Sequence, residues 1–190
     1  MFKSVSQFFK SNWTLLLVIA IFLVPQSREW IQRQIAFVPS IIDEENRVGL
    51  ENPYWLLKDE NGIVMNLGEV EDKVIFINFW ATWCPPCRAE LPYIKQLYAD
   101  YKDRMLFIFI SNESKEVVSD FFKSENIDLP IYELVSSPPK ELRQSNAIPS
   151  TYILDSNGKI AVFKTGAARW SSSRFYKKLD QLIDDSRPEQ

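Results

Sequence analysis

The sequence predicts an α/β domain with a central mixed β-sheet flanked by helices, and with a β-hairpin at its N-terminal end. Apolar runs typical of buried strands alternate with helical patterns in the first half of the domain. Two hairpin-linked strands and a final helix follow. Asp59-Glu60-Asn61-Gly62 and Asp155-Ser156-Asn157-Gly158 lie between apolar runs, and Asn-Gly in such a place is a strong hairpin signal. This order predicts a mixed sheet with helices on both faces.

Each element follows from a local pattern. Uninterrupted apolar runs over residues 73–80 and 105–111 predict two buried strands, and residues 85–101 between them predict a helix. Ser114 is an N-cap signal for a helix that runs to about residue 125. The other predicted elements are strands 54–58 and 63–66, a short segment 129–132, a short helix from Pro138, strands 150–154 and 160–164, and a last helix from Ser171 or Ser172 to about residue 185.

The composition excludes several classes of function. The 190 residues are 46% apolar, which is enough for a sizeable core, and the net charge is −3. An acidic chain argues against nucleic-acid binding, which requires a basic face. The chain has no His, so Ser-His catalysis, Cys-His catalysis and His-based metal sites are excluded. We therefore expect no nucleic-acid partner, no cofactor and no metal ion.

The N-terminal residues carry a targeting pattern. Lys3 and Lys10 precede an apolar stretch at 13–24, and the first acidic residue is Glu29. Twelve residues are fewer than the about 20 that a membrane span needs, but the aromatic residues before the stretch lengthen it. We favour an uncleaved signal anchor over residues 1–25. A cleaved signal is an alternative, although Pro25 occupies a place where a small residue belongs, and a buried helix of a cytosolic chain is another.

An anchor of this type predicts a location. Such segments usually leave the N-terminus inside, so we expect a single-pass protein of the bacterial cytoplasmic membrane. Its catalytic domain would then face the periplasm or the cell exterior, which is an oxidising space. Residues 26–52 are interpreted as a linker, and residues 53–187 as the globular domain.

The run Trp83-Cys84-Pro85-Pro86-Cys87 contains the only two cysteines of the chain. It lies where a strand passes into a helix, which places the first sulfur at a helix N-terminus that favours an anion. The thiolate is the nucleophilic form of cysteine, and a second sulfur nearby can resolve a mixed disulfide. A closed zinc site would lack ligands, and a structural disulfide would close only a very small loop. Redox chemistry is favoured over these alternatives and over two inert thiols.

Two stretches resemble thioredoxin-fold proteins, and most closely the membrane-anchored TlpA/ResA-like thiol–disulfide oxidoreductases. They are residues 73–92, which contain the cysteine motif, and residues 147–159, which begin Ala-Ile-Pro-Ser-Thr. The resemblance implies a thioredoxin fold with a redox-active disulfide between Cys84 and Cys87. It implies that Cys84 is the exposed nucleophile, that Cys87 is the buried resolving thiol, and that Pro149 is a cis-proline beside them. The residues expected to contact substrate are Trp83, Pro85, Pro86 and Ile148.

Two positions distinguish the chain from cytosolic thioredoxins. Those proteins usually carry a buried Asp six residues before the first cysteine, where this chain has Asn78, which does not titrate. ResA-like proteins carry an acid three residues after the second cysteine, and here that residue is Glu90. One helical turn from Cys87, its carboxylate is placed to take the Cys87 proton. The alternative is a solvated first-turn Glu that complements the helix dipole.

The sequence therefore predicts a membrane-tethered dithiol reductase. Its partners would be disulfide-bearing extracytoplasmic proteins and a membrane electron or thiol donor. Two alternatives remain open at this point: a disulfide oxidase or isomerase on the same fold, and a non-catalytic redox-sensing or metal-binding module.

Overall fold

The computed structural model describes residues 38–185. The predicted anchor at 1–25 and the first part of the predicted linker lie outside the described residues. Within residues 38–185, no helix is long and apolar enough to cross a membrane.

The described residues form eight strands and three α-helices. The strands are β1 (Val48–Gly49), β2 (Leu56–Lys58), β3 (Val64–Asn66), β4 (Val74–Trp80), β5 (Met105–Ser111), β6 (Glu133–Leu134), β7 (Ser150–Leu154) and β8 (Lys159–Thr165). The helices are α1 (Pro85–Tyr101), α2 (Lys115–Ser124) and α3 (Ser173–Asp184). Short 3₁₀ turns occur at Glu44–Asn46, Leu67–Glu69 and Lys140–Arg143.

The strands form two sheets. The main sheet has five strands in the order β1-β8-β7-β4-β5, and a smaller sheet has three strands in the order β3-β2-β6. In the main sheet β4 pairs parallel to β5, while β4–β7, β7–β8 and β8–β1 are antiparallel. The prediction of a mixed central sheet is therefore confirmed.

The two faces of the main sheet are covered differently. Successive side chains of β4 point to opposite faces. Phe76 and Trp80 join the core formed with α1, α2 and α3. Ile75 and Ile77 join a second core with Trp55, which directly precedes β2, and with residues of the small sheet and the 3₁₀ turns. The structure thus differs from the prediction of helices on both faces, because apolar side chains of the small sheet cover the second face.

Residues 41–49 are part of the folded domain, whereas the sequence assigned them to a linker. The Ile42 amide donates to the Ala161 carbonyl at 2.8 Å, and Val48 of β1 pairs with Ile160 of β8. Arg47 forms a shielded ion pair with Asp155 at 3.0 Å. A two-residue strand is too short to produce a periodic pattern, so only its pairing with β8 reveals it.

Helix caps and turns follow the local sequence. Ser114 is the N-cap of α2, as predicted, and of the two candidates for α3 Ser172 is the N-cap. Each hydroxyl accepts a hydrogen bond from the backbone amide three residues on. β2 and β3 pair antiparallel around the turn that contains Gly62, and β7 and β8 pair around the turn that contains Gly158. These glycines have φ of 83° and 71°, a backbone region that side chains disfavour.

Candidate active site

The cysteine motif connects β4 to α1. Cys84 is the N-cap of α1, and the Cys87 amide donates to the Cys84 sulfur at 3.3 Å. The two residues form a disulfide with a Cα–Cα distance of 5.3 Å. The first sulfur therefore lies where the helix N-terminus stabilises negative charge, as the sequence predicted.

Exposure does not distinguish the two sulfurs in the disulfide state. Cys84 is 2% exposed and Cys87 is 1% exposed, so the expectation of an exposed Cys84 is wrong for this state. The reason is the neighbouring loop, because the Ile148 carbonyl oxygen lies 3.7 Å from the Cys84 sulfur. Helix position still separates the two, since only Cys84 lies at the helix N-terminus.

The loop that covers the disulfide contains a cis peptide bond between Ile148 and Pro149, as the resemblance implies. Pro149 is buried and Ile148 is partly buried. The Gly166 amide donates to the Pro149 carbonyl at 2.8 Å. This bond ties the turn before β7 to the residue that follows β8.

Apolar side chains surround the disulfide at the surface. Trp83 is 69% exposed, Pro85 is exposed and Pro86 is partly exposed. Trp80 is buried instead and stacks on Phe122, with 5.2 Å between the ring centroids. Trp83 and the two prolines are thus available to another molecule, and their contact with substrate stays a prediction.

Glu90 lies in the core one helical turn beyond Cys87. Its side chain accepts three hydrogen bonds from residues on other elements. Asn78 Nδ2 donates to Oε1 at 3.1 Å, while the Ala168 amide and Trp170 Nε1 donate to Oε2 at 3.1 and 2.9 Å. Glu90 is 1% exposed. The alternative of a solvated first-turn glutamate is therefore wrong.

Burial dominates the electrostatics of Glu90. Loss of water raises its pKa from 4.5 to about 7. The hydrogen bonds from Trp170, Ala168 and Asn78, and then the charge of Lys164, act in the opposite direction because they stabilise the carboxylate. A carboxyl group with a pKa near 7 can both accept and release a proton near neutral pH.

Sequence reasoning missed the residues that surround Glu90. Thr151 Oγ1 accepts the other hydrogen bond of Asn78 Nδ2 at 2.8 Å, and Trp170 packs edge-on to Phe76 with 5.2 Å between centroids. Trp170 lies 80 residues from Glu90 in the chain. The one available signal was a tryptophan among Ala, Arg and Ser residues. That signal does not indicate that Glu90 is the hydrogen-bond partner of Trp170.

A second glutamate, also missed, bonds to the loop before the cysteines. Glu113 Oε2 accepts from the Thr82 amide and Oε1 accepts from the Thr82 hydroxyl, both at 2.7 Å. The Ser111 hydroxyl also donates to Glu113, at 3.1 Å. The segment leading to Trp83 and Cys84 is thereby connected to the end of β5.

The arrangement supports reversible exchange of two electrons between a dithiol and a disulfide. A thiolate at Cys84 would be stabilised by the helix N-terminus, and Glu90 lies in the core near the second cysteine. Among residues 38–185, no cluster of three or more His, Cys, Asp or Glu residues is placed to bind a metal ion.

Comparison with known proteins identifies relatives with this chemistry. Residues 36–179 match the Redoxin family. The chain is 32% identical over 163 residues to the thiol-disulfide oxidoreductase ResA of Oceanobacillus iheyensis, covering 82% of each chain. It is 31% identical over 133 residues to the protein of that name from Bacillus subtilis, covering 69% of this chain and 74% of that one.

Solved structures show the same fold. A secreted thiol-disulfide isomerase from Corynebacterium glutamicum superposes with a TM-score of 0.57 at 24% identity, over 76% of this chain and 90% of that one. A DsbF homologue from Corynebacterium diphtheriae gives a TM-score of 0.55 at 22% identity, over 76% and 90%. With the disulfide at the N-terminus of α1 and the cis-proline beside it, these matches lead to one conclusion: the chain belongs to the Redoxin family and is a ResA-like thiol–disulfide oxidoreductase with a thioredoxin fold.

Proposed function

We propose that this chain is a membrane-tethered reductase of disulfides in extracytoplasmic proteins, with Cys84 as nucleophile, Cys87 as resolving thiol and Glu90 as proton acceptor. The observation that carries the proposal is the position of Glu90. It is a buried carboxylate with a pKa of about 7, one turn beyond Cys87. A carboxyl group so buried is costly, and catalytic sites are where such groups cluster.

The proposed reaction has two exchange steps. The Cys84 thiolate attacks a substrate disulfide, forming a mixed disulfide and releasing the first substrate sulfur as a thiolate. Cys87 then gives its proton to the Glu90 carboxylate and attacks the Cys84 sulfur. This second attack releases the other substrate sulfur and forms the Cys84–Cys87 disulfide. Two electrons pass to the substrate, and an external dithiol donor restores the enzyme.

The residues around the disulfide have complementary roles in this scheme. Trp83 offers an exposed aromatic surface to a protein substrate, next to Pro85 and Pro86. Ile148 and Pro149 form the turn against which an incoming polypeptide backbone would lie. The exposed apolar contacts would favour an unfolded or extended segment over a small thiol.

Trapping of mixed disulfides tests the roles of the cysteines. We expect Cys87→Ser to accumulate mixed disulfides through Cys84, because the resolving step is lost. Cys84→Ser is the matched control and should trap none, since it lacks the sulfur at the helix N-terminus. Non-reducing gels of membranes from cells that express each variant give the readout. Equal trapping by both variants would reject the assignment.

The direction of electron flow is tested by the reduction potential. A reductase should have a potential well below that of the glutathione couple, about −240 mV. Equilibration of the full chain with glutathione buffers, followed by alkylation of free thiols, measures it. A potential near the about −120 mV of strongly oxidising DsbA-type proteins would favour a disulfide oxidase instead.

The membrane location rests on the N-terminal sequence, in which Lys3 and Lys10 precede the apolar stretch at 13–24. We expect the full chain to sediment with membranes and to stay there after a high-salt wash, with its catalytic domain digested by protease added outside the cytoplasmic membrane. Release of a shortened soluble species would favour a cleaved signal. Protection from the external protease would place the domain in the cytoplasm.

A further inference from the structure

In the described part of the chain, Glu90 forms three side-chain hydrogen bonds and is the acceptor in each of them. The Ala168 amide and Trp170 Nε1 are donors only, and both bond to Oε2. Asn78 presents its Nδ2 group to Oε1. This arrangement suits a carboxylate, which accepts hydrogen bonds at both oxygens.

A protonated Glu90 needs an acceptor. Because Ala168 and Trp170 bond through groups that can only donate, they keep their places on Oε2 and the proton belongs on Oε1. Asn78 is the neighbour of Oε1, and its amide has an acceptor oxygen as well as a donor nitrogen. Thr151 is the neighbour of Asn78, and its hydroxyl can donate as well as accept. Both members of this pair can therefore reverse their roles.

We propose that Asn78 and Thr151 form a proton-dependent switch of hydrogen bonding that positions Glu90 in both of its protonation states. With Glu90 ionised, Asn78 Nδ2 donates one hydrogen to Glu90 and the other to Thr151. When Glu90 takes a proton, the Asn78 amide turns by about half a rotation around its Cβ–Cγ bond. Its oxygen then accepts both the Glu90 O–H and the Thr151 O–H.

The switch accounts for the residue types at positions 78 and 151. An Asp at position 78 would place a second carboxylate against Glu90, and a Leu would leave the Glu90 proton without an acceptor. A valine at position 151 would remove the partner of Asn78 in both states. Asn78, Thr151 and Lys164 lie opposite one another on β4, β7 and β8. The register of the sheet therefore places Thr151 directly beside Asn78.

The titratable groups around Glu90 lie on α1 and β8. Cys87 and Cys84 lie on the same helix, and as a disulfide they do not titrate. Lys164 on β8 adds a positive charge that favours the carboxylate. Asn78 and Thr151 on the intervening strands, and Trp170 after β8, carry no ionisable proton in this range. In the oxidised protein, Glu90 is therefore the group that switches Asn78.

The switch rests on the proposed role of Glu90 as a proton acceptor. Measurements on the oxidised protein test the switch apart from that role, because the disulfide-bonded cysteines do not titrate. Nuclear magnetic resonance on the oxidised full chain, from pH 5 to 9, follows the Glu90 carboxyl carbon and the Asn78 side-chain amide. We expect the chemical shifts of the amide nitrogen and protons to change with pH at the same midpoint as the Glu90 carboxyl carbon. Nuclear Overhauser contacts from the Asn78 amide protons to the Thr151 methyl should weaken several-fold on the acidic side.

A pair of variants tests the hydroxyl. Thr151→Val keeps the shape of the side chain and removes the hydroxyl, which leaves one Asn78 N–H without an acceptor when Glu90 is ionised. In the acid state the Asn78 oxygen still accepts the hydrogen bond from the Glu90 O–H. Removing the hydroxyl therefore destabilises the ionised state more than the protonated state. We expect Thr151→Val to raise the Glu90 midpoint by about half to one pH unit. Thr151→Ser, the matched control, should leave it within about 0.3 unit.

Two outcomes would overturn the switch. One is an Asn78 amide whose signals and Overhauser contacts do not change through the Glu90 titration. The other is an equal midpoint in Thr151→Val and Thr151→Ser. Neither would affect the proposed function, which fails instead if Glu90→Gln resolves mixed disulfides as fast as the wild type.

Discussion

Glu90 and Glu113 each accept three hydrogen bonds close to the same disulfide, but in different surroundings. Glu113 lies half-buried in the loop after β5 and bonds to Thr82 and Ser111. Glu90 lies on α1 among apolar side chains and is 1% exposed. Both sets of donors suit a carboxylate, so the number of hydrogen bonds does not distinguish the two residues.

Access to water does distinguish them. Around Glu90 the loss of hydration outweighs the three hydrogen bonds, and its pKa rises to about 7. Glu113 keeps contact with water, so its bonds to Thr82 connect the loop without a comparable desolvation cost. Similar hydrogen bonds therefore give a proton acceptor in the core, and a connection between loop segments where water has access.

The largest effect is expected in the resolving step. Glu90→Gln removes the proton acceptor, and we expect resolution of a mixed disulfide to slow by about 100-fold at pH 8. The wild-type rate should rise with pH through about 7, as Glu90 ionises, and the variant should lack this inflection. Rapid-quench measurement of mixed-disulfide decay gives the rates. Glu113→Gln is the control and should stay within about threefold of wild type; equal slowing by both variants would remove the distinction.

Stability should also depend on pH through Glu90. Its folded pKa of about 7 exceeds the ordinary value of 4.5, so the folded state binds more protons between these values. Its contribution to stability is fully present below pH 4.5 and is lost as the pH rises through 7, a change of about 3 kcal/mol. Urea unfolding of oxidised wild type and Glu90→Gln across this range measures the difference. Parallel pH curves would contradict it.

Trp170 provides a smaller test of the same site. Trp170→Phe keeps an aromatic ring but removes the N–H that donates to Glu90 at 2.9 Å. Because this bond stabilises the carboxylate, we expect the Glu90 midpoint to rise by about one pH unit. Carbon nuclear magnetic resonance of the glutamate carboxyl groups measures it. Phe175→Leu disturbs the same aromatic cluster, since Phe175 packs on Trp170, and should leave the midpoint in place. The same shift in both variants would assign the effect to packing.

The smallest effect is expected at the hydrogen bonds between Thr82 and Glu113. Thr82→Val removes the hydroxyl bond to Glu113 and keeps the backbone bond, so we expect a stability loss of about 1 kcal/mol. The Glu90 midpoint should not change, because Glu90 is untouched. Thermal unfolding measures the stability and carbon nuclear magnetic resonance measures the midpoint, with Thr82→Ser as the variant that keeps the hydroxyl. A shifted Glu90 midpoint in Thr82→Val would mean that the two glutamates are coupled.

Features that depend on neighbouring residues could be predicted before the fold was known. Local pattern predicts the buried strands at 73–80 and 105–111, the helix cap at Ser114 and the position of the two cysteines. For the last helix it left Ser171 and Ser172 as alternatives, and the cap is Ser172. The redox chemistry was also evident, because a cysteine pair at a strand-to-helix junction requires no distant partner.

The environment of Glu90 depends on tertiary packing. The sequence left a buried proton acceptor and a solvated first-turn residue as alternatives, since both fit an acid at i+3 from Cys87. The choice depends on Trp170 and Ala168, which reach Glu90 from about 80 residues away, and on Asn78 across the sheet. Likewise, residues 41–49 became a sheet edge through pairing with β8. Burial and hydrogen-bond partners are set by which distant segments pack together, and local pattern does not contain that information.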